Sequence, residues 1–530
     1  MNRTIICIAA LSVLFLANSC TDDFTELNTD PKNLTVDNLT QSEYSAVVKA
    51  AQYTPAFLGD PARGAFQLTQ SLFSDIYGGY FATTAPNFNS DKFILVGGWL
   101  NGAFNYFYAN AAPQIKFAED FAADNGFDLE NAMMKVWRVW SYHRVTDYWG
   151  PIPYSEFGNG ELSVPYDAQD AIYRDFFTTL DEAISVLQSN AGATSFLGAN
   201  DLVYGGNADQ WLRFANTLRL RLAIRVKYVE PTLSQTEAEK AASLGEFIET
   251  NADNAIIETN PDFRNPYNTI TQWGEFRISA DMESVLKGYE DPRMQFYAAP
   301  AAEADPSDDP AGVEFPFEGM RNGQSQVAKQ GNDFNALASD MAPAYTAAGA
   351  PGPNYVAMNA AESYFLRAEG ALEGWNMGGG TAQDFYEQGI VTSHEEYGLD
   401  GNNLSGNPYV QSTNTPASYY GSDPAPSQVP VAFNTSGSTE EQLEQIITQK
   451  WISLYPNSQE AWAEKRRTGY PSFYDRLNTD DTTIPVNTVP RRVTFVDGEF
   501  TTNAEAVNAA IDNQLGGPDN GTTRLWWDAK

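Results

Sequence analysis

The sequence predicts a mainly α-helical protein in which neighbouring helix pairs form a scaffold for a long, loop-rich region, with little sheet. Three observations lead there. Apolar residues recur at helical spacing, roughly every three to four positions, over several long segments. Those segments fall into adjacent pairs. The stretches between them are long and rich in Gly, Pro, Asn, Tyr and Trp.

The first element is not part of the fold. Arg3 gives a positive start, Ile5 to Leu16 is almost wholly apolar, and Ala17, Asn18 and Ser19 lead into Cys20. This is the pattern of a secretory signal. The apolar run is about a dozen residues, short of the roughly 20 that span a bilayer. The stretch is similar to the lipobox of bacterial lipoproteins, with Leu16 one place earlier than the usual leucine. That similarity implies cleavage before Cys20 and lipidation of its sulfur. Residues 1–19 are then the signal peptide, 20–31 a lipidated tether, and 32–530 one domain. Several acyl chains would anchor firmly, since each buried CH₂ contributes about 0.8 kcal/mol.

The helices follow in order. One is expected over Asn38 to Tyr53. Met133, Trp137 and Trp140 mark a second, which stops at Gly150-Pro151. Asp167 and Asp170 stand at capping spacing before Ile172, Phe176, Leu180, Ile184 and Leu187, an apolar stripe of nearly four turns. Asn207 or Asp209 opens a helix with Trp211, Phe214, Leu218, Leu222 and Val226 on one face; Arg213, Arg219, Arg221 and Arg225 ride alongside. Met358 to Trp375 is helical and ends near Gly378-Gly379-Gly380. Thr381 and Asp384 restart a helix through Ile390, and Thr439 with Gln442 forms a capping box before Leu443, Ile447, Trp451 and Leu454. Segments 167–188 with 209–227, and 358–375 with 381–397, resemble degenerate tetratricopeptide hairpins, though no clean repeat period is present. Residues 55–105, 255–355 and 400–438 are the long loops.

Composition narrows the function. Lys and Arg number 32 against 68 Asp and Glu, a net charge of −36, which becomes −37 when Arg3 leaves with the signal. Nucleic acid and anionic lipid both reward clustered Lys and Arg, so neither is the expected partner. Of two cysteines, Cys7 leaves and Cys20 is used by lipid, so the mature chain has no disulfide and no thiolate ligand. Such a chain rests on a large core, which this length permits. The 11 Trp, 27 Tyr and 31 Phe fill that core, with a surplus suited to stacking on sugars.

Catalytic and metal motifs are sparse. His143 and His394 are the only histidines, with no HExxH and no GxSxG elbow. Gly378-Gly379-Gly380 lacks the Lys-Ser/Thr of a phosphate loop and is a turn. His143, beside Trp140, Arg144 and Asp147, is read as a structural histidine. No catalytic residue, metal or cofactor is expected. Carboxylates are abundant, so a surface glycoside hydrolase stays open as an alternative, because a carboxyl pair about 5–10 Å apart is invisible in sequence.

A set of short motifs recurs in order along most of the chain. They are Leu27-Asn28-Thr29-Asp30-Pro31, Thr146-Asp147-Tyr148-Trp149-Gly150-Pro151-Ile152-Pro153-Tyr154-Ser155, Tyr166-Asp167, and Trp211-Leu212-Arg213-Phe214-Ala215-Asn216-Thr217-Leu218-Arg219-Leu220-Arg221. Asp291-Pro292-Arg293, Phe365-Leu366-Arg367-Ala368-Glu369, Gln449-Lys450-Trp451 and Glu464-Lys465-Arg466-Arg467-Thr468-Gly469-Tyr470-Pro471 continue the series. Together they resemble the SusD/RagB family of surface lipoproteins, in its SusD-like 2 branch. The resemblance implies a scaffold of about four tetratricopeptide-like pairs and a loop-built ligand face. It implies an oligosaccharide ligand, with a peptide as the RagB-like alternative, delivered to a SusC-like TonB-dependent outer-membrane transporter. It places the lipid-anchored protein in the outer membrane, and Asp22-Asp23 after Cys20 is similar to the signal for the outer leaflet. The shared motifs themselves are expected to hold the scaffold, with Arg466 and Arg467 pairing helix carboxylates.

Sugar binding needs flat aromatic faces with polar groups nearby, and two loop stretches offer them. The first runs through Asp75, Tyr77, Tyr80 and Phe81 to Trp99 and Asn101. The second runs through Asn265, Tyr267, Asn268, Trp273 and Arg277. Position in the chain matches them to the N-terminal and mid-chain ligand loops that the resemblance implies. Trp99 and Trp273 are the expected platforms, and the acidic balance favours neutral or cationic ligands.

Overall fold

The computed structural model describes residues 39–58, 62–309, 314–399, 408–420 and 423–530. Cys20 and the tether lie outside the described residues. The chain divides into two units, Met1–Ala46 and Val47–Lys530. Of the first, only the opening of helix α1 (Gln41–Tyr53) is described. The second holds every element that follows.

Helix α2 (Ala62–Phe66) continues through π-helical turns over Gln67–Ser74 into Asp75–Tyr77. Strand β1 (Phe81–Thr83) comes next. Helix α3 (Gly97–Tyr106) passes through another π turn, Phe107–Ala111, into Ala112–Asp124, and packs on α4 (Asp128–Trp149). Helix α4 packs on α5 (Gln169–Ser189), α5 on α6 (Ala208–Arg225), and α6 on α7 (Pro231–Leu244). Further along, α8 (Ala280–Gly288) precedes the tightly packed pair α9 (Ala360–Leu372) and α10 (Ala382–Glu396). Helix α11 (Thr439–Ser453) lies against both members of that pair, and α12 (Ser458–Thr468) meets α2 and α4. The fold is mainly α, with tetratricopeptide-like pairs as scaffold.

Local chemistry explains most boundaries. The α5 stripe Ile172, Phe176, Leu180, Ile184 and Leu187 is fully inside. Helix α4 ends where Gly150 takes φ 85°, a conformation costly for side chains bearing Cβ. Asn207 caps α6 by accepting from the Gln210 N–H at 3.0 Å. Thr381 and Asp384 form the reciprocal box on α10. Three expectations are corrected. Asp167 does not cap α5; it accepts from the N–H and hydroxyl of Ser155, both at 2.8 Å, and pins the turn after Gly150-Pro151. Ser438, not Thr439, caps α11, accepting from the Glu441 N–H at 3.2 Å. Met358 ends a strand, and α9 begins after it at Ala360.

The sheet is confined to two short antiparallel pairs among the described residues. Strand β1 pairs with β3 (Phe276–Ile278), with Phe81 opposite Ile278 and Thr83 opposite Phe276. Strand β2 (Ala255–Ile257) pairs with β4 (Tyr355–Met358). Each pair ties together segments far apart in sequence. The stretch 255–355 is therefore an organised region of short strands and helices, not one continuous loop.

The arginines of α6 do not all ride on its surface. Arg219, Arg221 and Arg225 are buried. Arg221 donates to both oxygens of Glu362 on α9, at 2.7 and 2.6 Å. Arg225 reaches Glu460 at 2.6 Å and Glu464 at 2.8 Å on α12. Lys450 on α11 sits 3.6–3.7 Å from Glu362, Glu460 and Glu464. Arg467 bridges Glu464 and Glu369, and Lys227 adds a further 2.7 Å contact to Glu369. Arg466 differs from its neighbour. It lies over the Trp462 ring and donates to the carbonyls of Asp147 and Arg491, so only Arg467 pairs with carboxylates.

Burial alone would raise the pKa values of Glu460, Glu464 and Glu369, but the surrounding Arg and Lys outweigh it and hold all three below the usual carboxylate range. A carboxyl depressed in the fold gives stability that is complete above its unfolded value, about 4.3, and is lost as pH falls. Glu460→Gln, which leaves Arg225 and Arg221 short of a partner, is expected to cost about 3–5 kcal/mol. Urea midpoints at pH 6 and pH 3 check this: the wild type should lose stability between the two, and the variant should lose less.

Candidate ligand-binding site

The β1–β3 ladder brings the two sequence-distant loop regions together. Beyond its end, the Thr84 N–H donates to the Glu275 carbonyl at 2.9 Å and the Thr84 hydroxyl to the Gly274 carbonyl at 2.6 Å. An open cavity of about 320 Å³ lies here. One side is formed by Thr84, Ala85 and Pro86 with Trp273, Gly274 and Glu275. The other is formed by Lys329 and the run Asn332, Asp333, Phe334 and Asn335.

Trp273 closes a single helical turn, Thr271–Trp273, and Gly274 follows at φ 63°. A Cβ at Gly274 would come 3.3 Å from the Asn335 amide, besides being strained. This turn leaves the indole 42% exposed, a large apolar face held open to solvent. Around it stand amides, a hydroxyl and carboxylates. The arrangement offers one flat apolar surface and several directional polar groups, which is the chemistry of a polar ligand with apolar faces.

The wall opposite is pinned by one buried ion pair. Lys329, on the short helix Gln326–Gly331, lies 2.8 Å from the Asp91 carboxylate, and both side chains are almost completely buried. Its ammonium also donates to the carbonyls of Phe88 at 3.2 Å and Ala85 at 3.4 Å. Burial raises Asp91 against the pull of Lys329, and burial lowers Lys329 against the pull of Asp91. The pair therefore clamps segment 85–91 to the helix bearing the far wall.

Of the residues anticipated at the site, Trp273 faces the cavity. Trp99 is half-buried, with its ring edge-on to Phe88 at 5.3 Å and to Phe73 at 6.3 Å. It backs the segment that lines the cavity. Asn101 is half-buried and accepts from the Gly498 N–H at 2.9 Å.

The remaining five are corrected by burial, because none has a free face or edge for a ligand. Asp75 accepts from the hydroxyls of Tyr267 and Ser458 and from Gln70, and burial pushes it up to about 7. Tyr77 packs against Phe73, Phe93 and Trp462. Tyr80 stacks on Trp451 and donates to its carbonyl at 2.6 Å. Asn268 donates to the carbonyls of Tyr345 and Ala347, and Arg277 stays in β3, donating to the Phe276 carbonyl. Phe81, Asn265 and Tyr267 are buried as well.

The residues missed are Thr84, Glu275, Lys329, Asn332, Asp333 and Asn335. Only the polar run Asn332-Asp333-Phe334-Asn335 left a signal in the sequence.

Among the described residues no group of three or more His, Cys, Asp and Glu is placed to hold a metal ion. His143 is buried, 3.2 Å from the Val139 carbonyl, and burial holds it well below the usual histidine range. Burial, with Arg293 beside it, pushes His394 down to about 4. Neither histidine lines the open cavity.

These features define a class: a helical-pair scaffold that carries an open cavity on its insertions. Residues 26–528 match the SusD-like family, described as Susd and RagB outer membrane lipoprotein, and the chain belongs to that family. A chitin-binding SusD homolog from Flavobacterium johnsoniae is 37% identical, with a TM-score of 0.81, covering 92% of this chain and 98% of that one. A SusD homolog from Bacteroides vulgatus is 32% identical, with a TM-score of 0.82, covering 92% and 98%. Another from Bacteroides thetaiotaomicron is 31% identical, with a TM-score of 0.79, covering 92% and 99%. No curated protein matches the chain.

Asp91→Asn leaves Lys329 buried without its counter-charge and is expected to cost about 3–5 kcal/mol. The double variant with Lys329→Met removes both charges and should recover most of that loss. Thermal or urea unfolding of the three proteins checks the order.

Proposed function

We propose that this protein is a lipid-anchored outer-membrane lipoprotein that captures an oligosaccharide and delivers it to a SusC-like TonB-dependent transporter. The observation that carries the ligand class is Trp273, an indole held open over a cavity of amides and carboxylates. A pyranose ring presents C–H groups on one face and hydroxyls around its edge. The indole suits the first, while Asn332, Asn335 and Thr84 suit the second.

The chitin-binding relative favours a β-linked N-acetylhexosamine oligomer, whose acetamides would pair with the same side-chain amides. Glu275 and Asp333 discourage anionic sugars. The cavity is open, as an oligomer longer than the site requires. Binding occurs without turnover: the two carboxylates serve recognition and no step of bond cleavage is assigned to them.

The anchor reading rests on the Cys20 motif. Among the described residues no helix is long and apolar enough to cross a membrane. Membership of the family supports exposure on the outer face and the transporter partnership.

Titration calorimetry with chitooligosaccharides tests the ligand. Trp273→Ala is expected to weaken binding by at least tenfold, and Trp99→Ala by less, since its ring supports the cavity from behind. Equal affinity in wild type and Trp273→Ala would remove the groove from the reading. Sugar release by the purified protein would favour a hydrolase instead, and capture of peptides without glycans a peptide carrier. Cys20→Ala is expected to move the protein from the membrane fraction to the soluble fraction of cells lacking the transporter. Retention in the membrane would refute the lipid anchor.

A further inference from the structure

A second cavity, of about 370 Å³, shares no lining residue with the Trp273 groove. Its size falls within the range of small-molecule sites, about 300–1,000 Å³. One wall is a chain of rings. Phe66 meets Tyr267 at 4.9 Å, Tyr267 meets Tyr345 at 6.0 Å, and Tyr345 meets Tyr455 at 6.4 Å. Strand β4 forms part of another wall through Tyr355 and Val356.

The charges in this cavity are unbalanced. No Lys or Arg lines it. Glu362 reaches it but is fully engaged by Arg221. Glu396 also lines it and makes no hydrogen bond or ion pair among the described residues. It is the last residue of α10, where the partial negative charge of the helix end disfavours an anion and favours a cation alongside. The Asn457 side chain, also lining the cavity, has no hydrogen-bond partner among the described residues. Asn354 uses only its oxygen, accepting from the Thr259 N–H at 3.1 Å. The site thus presents a lone carboxylate, unengaged amide groups and electron-rich ring faces. Each of these favours a small cation carrying hydroxyls.

We propose that this cavity is a second binding site, independent of the glycan groove, for a small polyhydroxylated molecule bearing a primary ammonium, with Glu396 as the ion-pair acceptor. Burial pushes Glu396 up to about 7, opposed by Arg293, so the carboxylate is free to pair in mildly alkaline solution. An anionic ligand would meet a like charge, and Arg293, paired with Asp291, does not line the cavity to offset it. A neutral polyol would keep the amide contacts and lose the ion pair.

Calorimetric titration of the full chain at pH 8.5 with 1-amino-1-deoxyglucitol tests this, with glucitol and gluconate as neutral and anionic counterparts. The amine should bind at least tenfold more tightly than glucitol, and gluconate should not bind. Glu396→Gln should remove that tenfold advantage, and its thermal midpoint should match or exceed the wild type, because the lost charge had no partner. Val356→Trp, which fills the cavity from β4 and keeps Glu396, should abolish amine binding. Trp273→Ala should leave it unchanged. The proposal is overturned if the amine binds no better than glucitol, if Val356→Trp retains amine binding, or if amine affinity falls in Trp273→Ala but not in Glu396→Gln.

Discussion

The structure depends on a buried lattice of charge. Arg221 and Arg225 of α6, Lys450 of α11 and Arg467 of α12 face Glu362, Glu369, Glu460 and Glu464 in the interior. Removing such ions from water costs several kcal/mol each, so the lattice is favourable only when every member finds its partner. Arg221 must meet α9, and Arg225 must meet α12. Lys450 must point at both. Degenerate helix pairs with no repeat period could slide or exchange neighbours. The lattice removes that freedom, because a shift of one turn leaves several charges unpaired at once.

That constraint reaches the insertions. With α4, α6, α9 and α12 fixed, the loops between them have fixed endpoints. Two short ladders then finish the task. The β1–β3 pair joins residues about 200 positions apart in sequence, and the Lys329–Asp91 pair clamps the next turn. The groove at Trp273 is thus carried on rigid supports despite being built from loops. The lattice takes Arg221, Arg225, Lys450 and Arg467 from a chain in which 32 Lys and Arg already face 68 Asp and Glu. The chain as a whole keeps a net charge of −36, which fits the proposed preference for ligands that are not anionic.

Helical periodicity made the scaffold legible. The α5 stripe, the Gly150 stop and the Thr381–Asp384 box are local events, set by residues within a few positions of each other. Failures began where the partner was distant. Asp167 has the spacing of a cap, but Ser155 binds it first. Arg219, Arg221 and Arg225 have the composition of a surface face, and only distant carboxylates make their burial possible. At the site, residue type misled for the same reason. Tyr77 and Tyr80 carry the rings that sugars use, yet Trp462 and Trp451, nearly 400 residues away, cover them. Trp273, picked out as an aromatic among amides, keeps an exposed face because Gly274 turns the chain directly after it. Lys329 and Asp91 were not, since neither is informative without the other.

The two cavities show how one scaffold holds different recognition problems. At Trp273 the polar groups sit around an open indole, so a chain can lie across the site and extend beyond it on either side. On the proposed reading, affinity there would come from area and from several weak contacts. At Glu396 rings and a strand line a space of about 370 Å³, and the proposed selection rests on one unpaired carboxylate. An open site with scattered polar groups tolerates variation along an oligomer. A walled site with one uncompensated charge discriminates by sign. Glu362, which lines the same space yet is silenced by Arg221, shows what Glu396 would be without a ligand role: a carboxylate supplied with its own cation. The fold provides such partners for the buried Glu369, Glu460 and Glu464 at the helix junctions, and the lack of one at Glu396 among the described residues is the physical ground for reading that cavity as a site.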